Sequence, residues 1–173
     1  ENQNIIKDSH PLRFRFNKTH VIEVAKLDKF INMSAASTFF RVSHIKKQNL
    51  VFDHNVKPNF EDGKFIADYL LDLQDAKAVF DRDAVYFYRK RESGTSTLDT
   101  SWQKVEKFSN VFEYGFLPML KNYKNRLGYV PSSIQKTALY DMAWYIQQLL
   151  NRPERLDLLD TKQKSHFYDL MQQ

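Results

Sequence analysis

The spacing of the apolar residues changes near Leu98, and that change constrains the fold more than any other feature of the sequence. Before it lie short runs that alternate or cluster: Leu12-Arg13-Phe14-Arg15-Phe16, Val21-Ile22-Glu23-Val24, residues 76–80 and residues 84–88. Runs of this length read as β-strands. After it, Trp102, Val105, Phe108, Val111 and Phe112 recur at helical spacing, and no further strand-like run follows. The reading is an α/β chain with two parts, a mixed part over 1–98 and an all-helical part over 99–173.

Leu12 to Phe16 reads as a half-buried strand, turned by Asn17-Lys18-Thr19-His20 into the second arm of a hairpin. Arg13 and Arg15 then point off its apolar face, as a solvated surface or as a phosphate or acceptor contact. Thr38-Phe39-Phe40-Arg41 reads as a buried strand, and Ser43 as the cap of a short helix over 44–48. Leu50-Val51-Phe52 is extended before an Asp53-His54-Asn55 turn, and Asp81-Arg82-Asp83 is another turn. In the helical part, Leu117, Leu120 and Tyr123 continue past Pro118 as a second helix. Pro131 is placed to open a third, with a wide apolar stripe over Ile134, Ala138, Leu139, Met142, Ala143, Ile146, Leu149 and Leu150. Asp160-Thr161-Lys162-Gln163 matches a capping box, with Phe167, Leu170 and Met171 on the last helix's buried side.

A chain of 173 residues can bury a real core, and its 42% hydrophobic content is that of a folded domain. It has no cysteine, which removes disulfides, thiolate metal sites and cysteine nucleophiles. No apolar run approaches the roughly 20 residues that cross a bilayer. The polar start Glu1-Asn2-Gln3-Asn4 is no signal peptide and lacks an initiator methionine, so the expectation is a piece of a longer protein in the cytoplasm. The net charge of +5 suits anionic partners without choosing among them. Phosphate-loop, dinucleotide-fold, zinc-protease and hydrolase-elbow motifs are absent, and the five histidines show no ligand spacing.

The chemistry concentrates in two stretches. In Asn59-Phe60-Glu61-Asp62-Gly63-Lys64-Phe65, two carboxylates open a segment whose apolar residues, Phe65, Ile66, Tyr69, Leu70 and Leu73, share one helix face. The first turn of a helix favours anions through its free N–H groups and dipole. In Tyr88-Arg89-Lys90-Arg91-Glu92-Ser93-Gly94-Thr95-Ser96, three cations and several hydroxyls make a grip for a diphosphate. Upstream, Ser34-Ala35-Ala36-Ser37 places small side chains in a row, which permits close approach of a ligand or of another element.

The order of these stretches resembles the second half of a family 2 glycosyltransferase domain of the GT-A type. In that pattern a small-residue segment, a Phe-Asp turn such as Phe52-Asp53, a Glu-Asp pair and a Tyr-Arg-x-Arg run with hydroxyls follow one another. The resemblance covers roughly residues 10–100 and is nearest to enzymes that build teichoic acids and capsular polysaccharides. The segment from Gly128-Tyr129-Val130-Pro131 looks like the helical extension of the same group. The implied fold is a partial GT-A domain, a mixed sheet with helices, followed by an all-helical extension.

The resemblance implies a general base at Asp62 with Glu61 beside it, orienting it or holding the acceptor. It implies that Arg89, Arg91 and Ser96 meet the leaving diphosphate, with Ser93 able to substitute for Ser96, and that Ser34 and Ser37 form the pocket floor. The implied partners are a nucleotide-sugar donor and a polymer or lipid-linked acceptor, with peripheral association at the inner face of the cell membrane and no nucleic acid. Mg²⁺ or Mn²⁺ is expected for the full enzyme, but its Asp-x-Asp ligands are not in this chain. Asp81-Arg82-Asp83 has the letters in the wrong place. The expectation is therefore an isolated part that does not transfer sugar alone. A rival reading is a non-catalytic basic module in which Tyr86, Tyr88, Arg89 and Arg91 bind nucleic acid or another anionic polymer.

Overall fold

The computed structural model describes residues 10–87 and 100–173. The fold is mixed α/β, with a small sheet near the start and a helical C-terminal region. Two strands, β1 (His20–Glu23) and β2 (Lys77–Phe80), pair antiparallel with His20 opposite Phe80 and Glu23 opposite Lys77. The ladder runs on past β1 through Val24 N–H to Ala76 C=O at 2.8 Å. Val24, Leu27 and Phe80 are buried beneath it.

The expected hairpin is not formed. β1 pairs with a strand more than fifty residues away, and Arg13–Phe16 is a 3₁₀ turn. Arg15 decides this: its guanidinium turns inward and donates to the carbonyls of Leu12 and Ile31. Arg15 is buried between the rings of Phe16 and Phe80, and burial lowers its pKa to about 10. An alternating sequence fixes which residues can share a face, but not which strand becomes the neighbour.

Thr38 to Arg41 is not a buried strand either, because Phe39 is fully exposed and no ladder forms there. Helix α1 (Val42–Gln48) starts one residue before Ser43, with Arg41 at the cap position and no side-chain cap. Residues 84–87 are outside any strand, with Val85, Tyr86 and Phe87 exposed. Both expected Asp-led turns are present, with Asp53 and Asp81 each accepting the N–H two residues on.

Helix α2 (Glu61–Leu71) is the centre of the fold. Five consecutive residues, Gly63 to Ala67, are buried, so the helix is covered on more than the one face its periodicity implies. Residues 111–127 of the helical region pack against it. Instead of one helix over 102–112 there are 3₁₀ turns at Ser101–Gln103 and Val105–Phe108, then a π turn at Val111–Phe116. The π turn runs straight into α3 (Leu117–Leu127). Pro118 cannot donate an i→i−4 bond, and the widened turn stands immediately before it. Tyr123 on α3 donates its hydroxyl to the Ala67 carbonyl of α2 at 2.8 Å, deep in the core.

Pro131 precedes α4 (Ser132–Asn151), and α5 (Thr161–Met171) begins with the expected capping box between Asp160 and Gln163. Phe108, Phe112, Tyr145 and Phe167 form an edge-to-face aromatic cluster at the meeting of these elements. Only part of the α4 stripe enters the core. Ile134, Ala138 and Tyr145 are buried, whereas Leu139, Ala143, Ile146 and Leu150 are exposed.

Candidate active site

The acidic pair stands where the sequence places it, in the first turn of α2. The backbone entering that turn is unusual. Phe60, the residue before Glu61, has φ +79°, a left-handed conformation that a bulky residue rarely adopts. Its ring is held between two glycines. A Cβ on Gly63 would come within 2.9 Å of Phe60 Cε2, and one on Gly115 within 3.0 Å of Phe60 Cδ1. Neither glycine adopts a left-handed φ; each is needed for space. Phe116 closes the ring edge-on at 4.5 Å between centroids.

The small-residue segment meets the pair directly. Ala35 N–H donates to Asp62 Oδ2 at 2.9 Å. Ala35–Ser37 is a 3₁₀ turn locked by its own polar groups, with Thr38 Oγ1 donating to the Ser34 carbonyl at 2.7 Å and Asn32 Nδ2 donating to Thr38 Oγ1 at 2.6 Å. The small side chains therefore permit close approach by α2. A carboxylate has roughly four lone-pair sites, so one backbone donor orients Asp62 without exhausting its capacity to accept a proton. Ser34 is half-buried beside this contact, and Ser37 is exposed with its hydroxyl turned back to the Ser34 carbonyl.

Glu61 is half-buried. Burial pushes its carboxyl above the ordinary glutamate range and the neighbouring Asp62 adds to this, while the N–H of Glu61 itself opposes it. Further along α2 a groove of about 400 Å³ is lined by Lys64, Asp68 and the 49–55 loop, and neither Glu61 nor Asp62 lines it. Lys64 and Asp68 form an ion pair one helical turn apart at its base.

Arg89, Arg91, Ser93 and Ser96 lie outside the described residues, as does Tyr88. Among the described residues no group of three or more His, Asp or Glu side chains could hold a metal ion. Those described residues do not fit the divalent cation that the resemblance implies. Asp81 is committed elsewhere, accepting from Thr19 Oγ1 and from Asp83 N–H. Among the described residues, no helix is long and apolar enough to cross a membrane.

One polar cluster behind the pair escapes the sequence reading. Lys107 is buried and donates to Asn59 Oδ1 at 2.8 Å, two residues before Glu61. No sequence signal marks it: Lys107 falls between the apolar positions Val105 and Phe108, where a helical reading leaves a charge in solvent.

No protein-family model and no solved structure matches the chain. Two curated proteins of Bacillus subtilis (strain 168) do match. The chain is 28% identical over 184 residues to Minor teichoic acid biosynthesis protein GgaB, covering 92% of this chain and 20% of that protein. It is 28% identical over 138 residues to Minor teichoic acid biosynthesis protein GgaA, covering 79% of this chain and 30% of that one. It therefore spans less than a third of either relative. The resemblance first carried by the order of the Ser-Ala-Ala-Ser, Phe-Asp and Glu-Asp stretches is thus a likeness to proteins of teichoic acid biosynthesis.

Proposed function

We propose that this chain is the acceptor-side part of an inverting glycosyltransferase of the GT-A type and family 2. It takes part in moving a hexosyl unit from a nucleotide-sugar to a teichoic acid or capsule polymer. Residues 1–98 belong to the GT-A domain and residues 99–173 form its helical extension. The observation that carries the reading is the contact of Asp62 with Ala35 N–H, which orients a carboxylate at a helix start against a small-residue floor. The likeness to two teichoic acid biosynthesis proteins supports the polymer.

In this reading Asp62 takes the proton from an acceptor hydroxyl as its oxygen attacks the anomeric carbon. The bond from that carbon to the diphosphate breaks, and the nucleoside diphosphate leaves with the electron pair. Arg89 and Arg91, with Ser96 or Ser93, meet the charge that develops on it. Glu61 holds the acceptor, and the Ser34 and Ser37 segment forms the pocket floor. Work on a lipid-linked polymer would place the protein in the cytoplasm at the inner face of the membrane, a location that the net charge of +5 suits.

The test is product stereochemistry. The full-length protein, given a panel of sugar nucleotides and a teichoic acid acceptor, should release nucleoside diphosphate and yield the inverted anomer by NMR. A retained anomer would rule out the direct displacement. Salt-dependent binding of single-stranded nucleic acid without nucleoside diphosphate release would favour the binding-module reading instead.

A further inference from the structure

Lys107 lies in the 3₁₀ turn Val105–Phe108, yet the residue is only 3% exposed. Its Nζ donates to Asn59 Oδ1 at 2.8 Å and stands 4.3 Å from the Tyr145 ring centroid and 4.7 Å from that of Trp102. Tyr145 in turn donates its hydroxyl to the Lys107 carbonyl at 2.8 Å. Burying an ammonium is costly, and an apolar side chain of similar length would fill this space at less cost. A packing role therefore does not account for a lysine here. Its hydrogen-bond partner is more informative. Asn59 is itself buried and precedes Phe60, whose left-handed backbone leads into the acidic pair. A strained residue persists only where its surroundings over-determine it. The two glycines fix the Phe60 ring, and Lys107 fixes the residue before it.

We infer that Lys107 is a positioning residue for the acidic pair, reaching from the helical region to fix Asn59 and, through it, the entry into α2. The geometric claim stands alone, and its weight in catalysis rests on the reading of Asp62 as the base.

Among the described residues, the groups that face Lys107 come from the loop before α2, from α4 and from a 3₁₀ turn. Asn59 faces it from the loop before α2, Asp141 and Tyr145 from α4, and Trp102 from the turn Ser101–Gln103. Arg155 covers Trp102, its Cζ 4.8 Å from the ring centroid. Asp141 Oδ2 is buried without a hydrogen-bond partner among the described residues, and burial raises that carboxyl against the pull of Lys107. Burial lowers the Lys107 pKa to about 8, with Asp141 opposing. The charge-assisted bond to Asn59 therefore weakens in mildly alkaline solution.

The test is ¹³C-detected NMR of the full chain between pH 6.5 and 9.5. It reads the Asn59 side-chain carbonyl and the Glu61 and Asp62 carboxyls. In the native chain all three should step together with a midpoint near pH 8. Lys107→Met should remove the step, and Asn59→Asp, which sets a carboxylate against the ammonium, should move the midpoint up by a unit or more. Glu61 and Asp62 resonances that are the same in Lys107→Met as in the native chain would overturn the inference. Should that variant fail to fold, an unmoved midpoint in Asn59→Asp would overturn it. Unchanged turnover in Asp62→Asn would remove the base assignment and leave this result untouched.

Discussion

Ala35 and Asp62 are joined across 27 positions of sequence by a backbone N–H to carboxylate hydrogen bond of 2.9 Å. The contact ties the small-residue segment to the start of the helix against which the π turn and α3 pack. It needs room, which Ala35 and Ala36 provide by having little side chain, and a fixed carboxylate, which the first turn of α2 provides. Replacing Ala35 by Val crowds this approach without removing the N–H. The expected result is a loss of about 1–3 kcal/mol in denaturant unfolding, typical of inserting methyl groups into a packed contact. An unchanged midpoint would mean that α2 tolerates displacement here.

The Phe60 ring gives a sharper stability test. Gly63→Ala gains helix propensity of about 1 kcal/mol but drives its Cβ against Phe60 Cε2. The ring cannot retreat, because Gly115 stands on its other side. Both Gly63→Ala and Gly115→Ala should destabilise by about 1–3 kcal/mol. Phe60→Leu should relieve part of each loss, so a double-mutant cycle in urea should show coupling. Strict additivity would mean that the ring moves freely.

Tyr123 and Ala67 link α3 to α2 by one buried hydrogen bond of 2.8 Å. Tyr123→Phe leaves the Ala67 carbonyl without this donor and should cost about 1–3 kcal/mol. Calorimetry of the two proteins checks it.

Stability depends on pH through the buried Lys107. Its folded pKa, about 8, is below the ordinary 10.5, so folding is penalised while the lysine is charged in both states. The Lys107 contribution to stability is therefore present above 10.5 and is lost as pH falls through 8. The stability difference between native chain and Lys107→Met should change across that window in favour of the native chain as pH rises. A difference that is flat from pH 7 to 10.5 would contradict the burial of a charged ammonium.

How much of this was legible in the sequence varies by element. The acidic helix start, the capping box at Asp160 and the two Asp-led turns were readable because each rests on contacts within a few residues. The strands were readable only in part. The periodicity of Val21 to Val24 marks β1, but its partner is β2, and a strand over Leu12 to Phe16 would turn Arg15 outward where the 3₁₀ turn buries it. The buried cation could not be foreseen, since its acceptors, the Leu12 and Ile31 carbonyls, are set by tertiary folding. The same holds for Lys107, whose partner Asn59 is 48 positions away. On α4, composition alone does not tell Ile134, which enters the core, from Ile146, which stays outside. For the candidate site, the sequence named Glu61, Asp62 and the small-residue segment, and the folded chain brings them together. It did not name Lys107 or the paired glycines that hold Phe60.

The most direct test of the proposed chemistry replaces one atom group. Asp62→Asn keeps an acceptor oxygen for Ala35 N–H and removes the proton-accepting carboxylate. The full-length protein and this variant should be compared for nucleoside diphosphate release from the donor that the native protein uses. Turnover should fall by about 10²–10⁴-fold, the usual worth of a general base, while the melting temperature holds within a few degrees. Turnover equal to that of the native protein, in a folded variant, would contradict the assignment of Asp62 as the base.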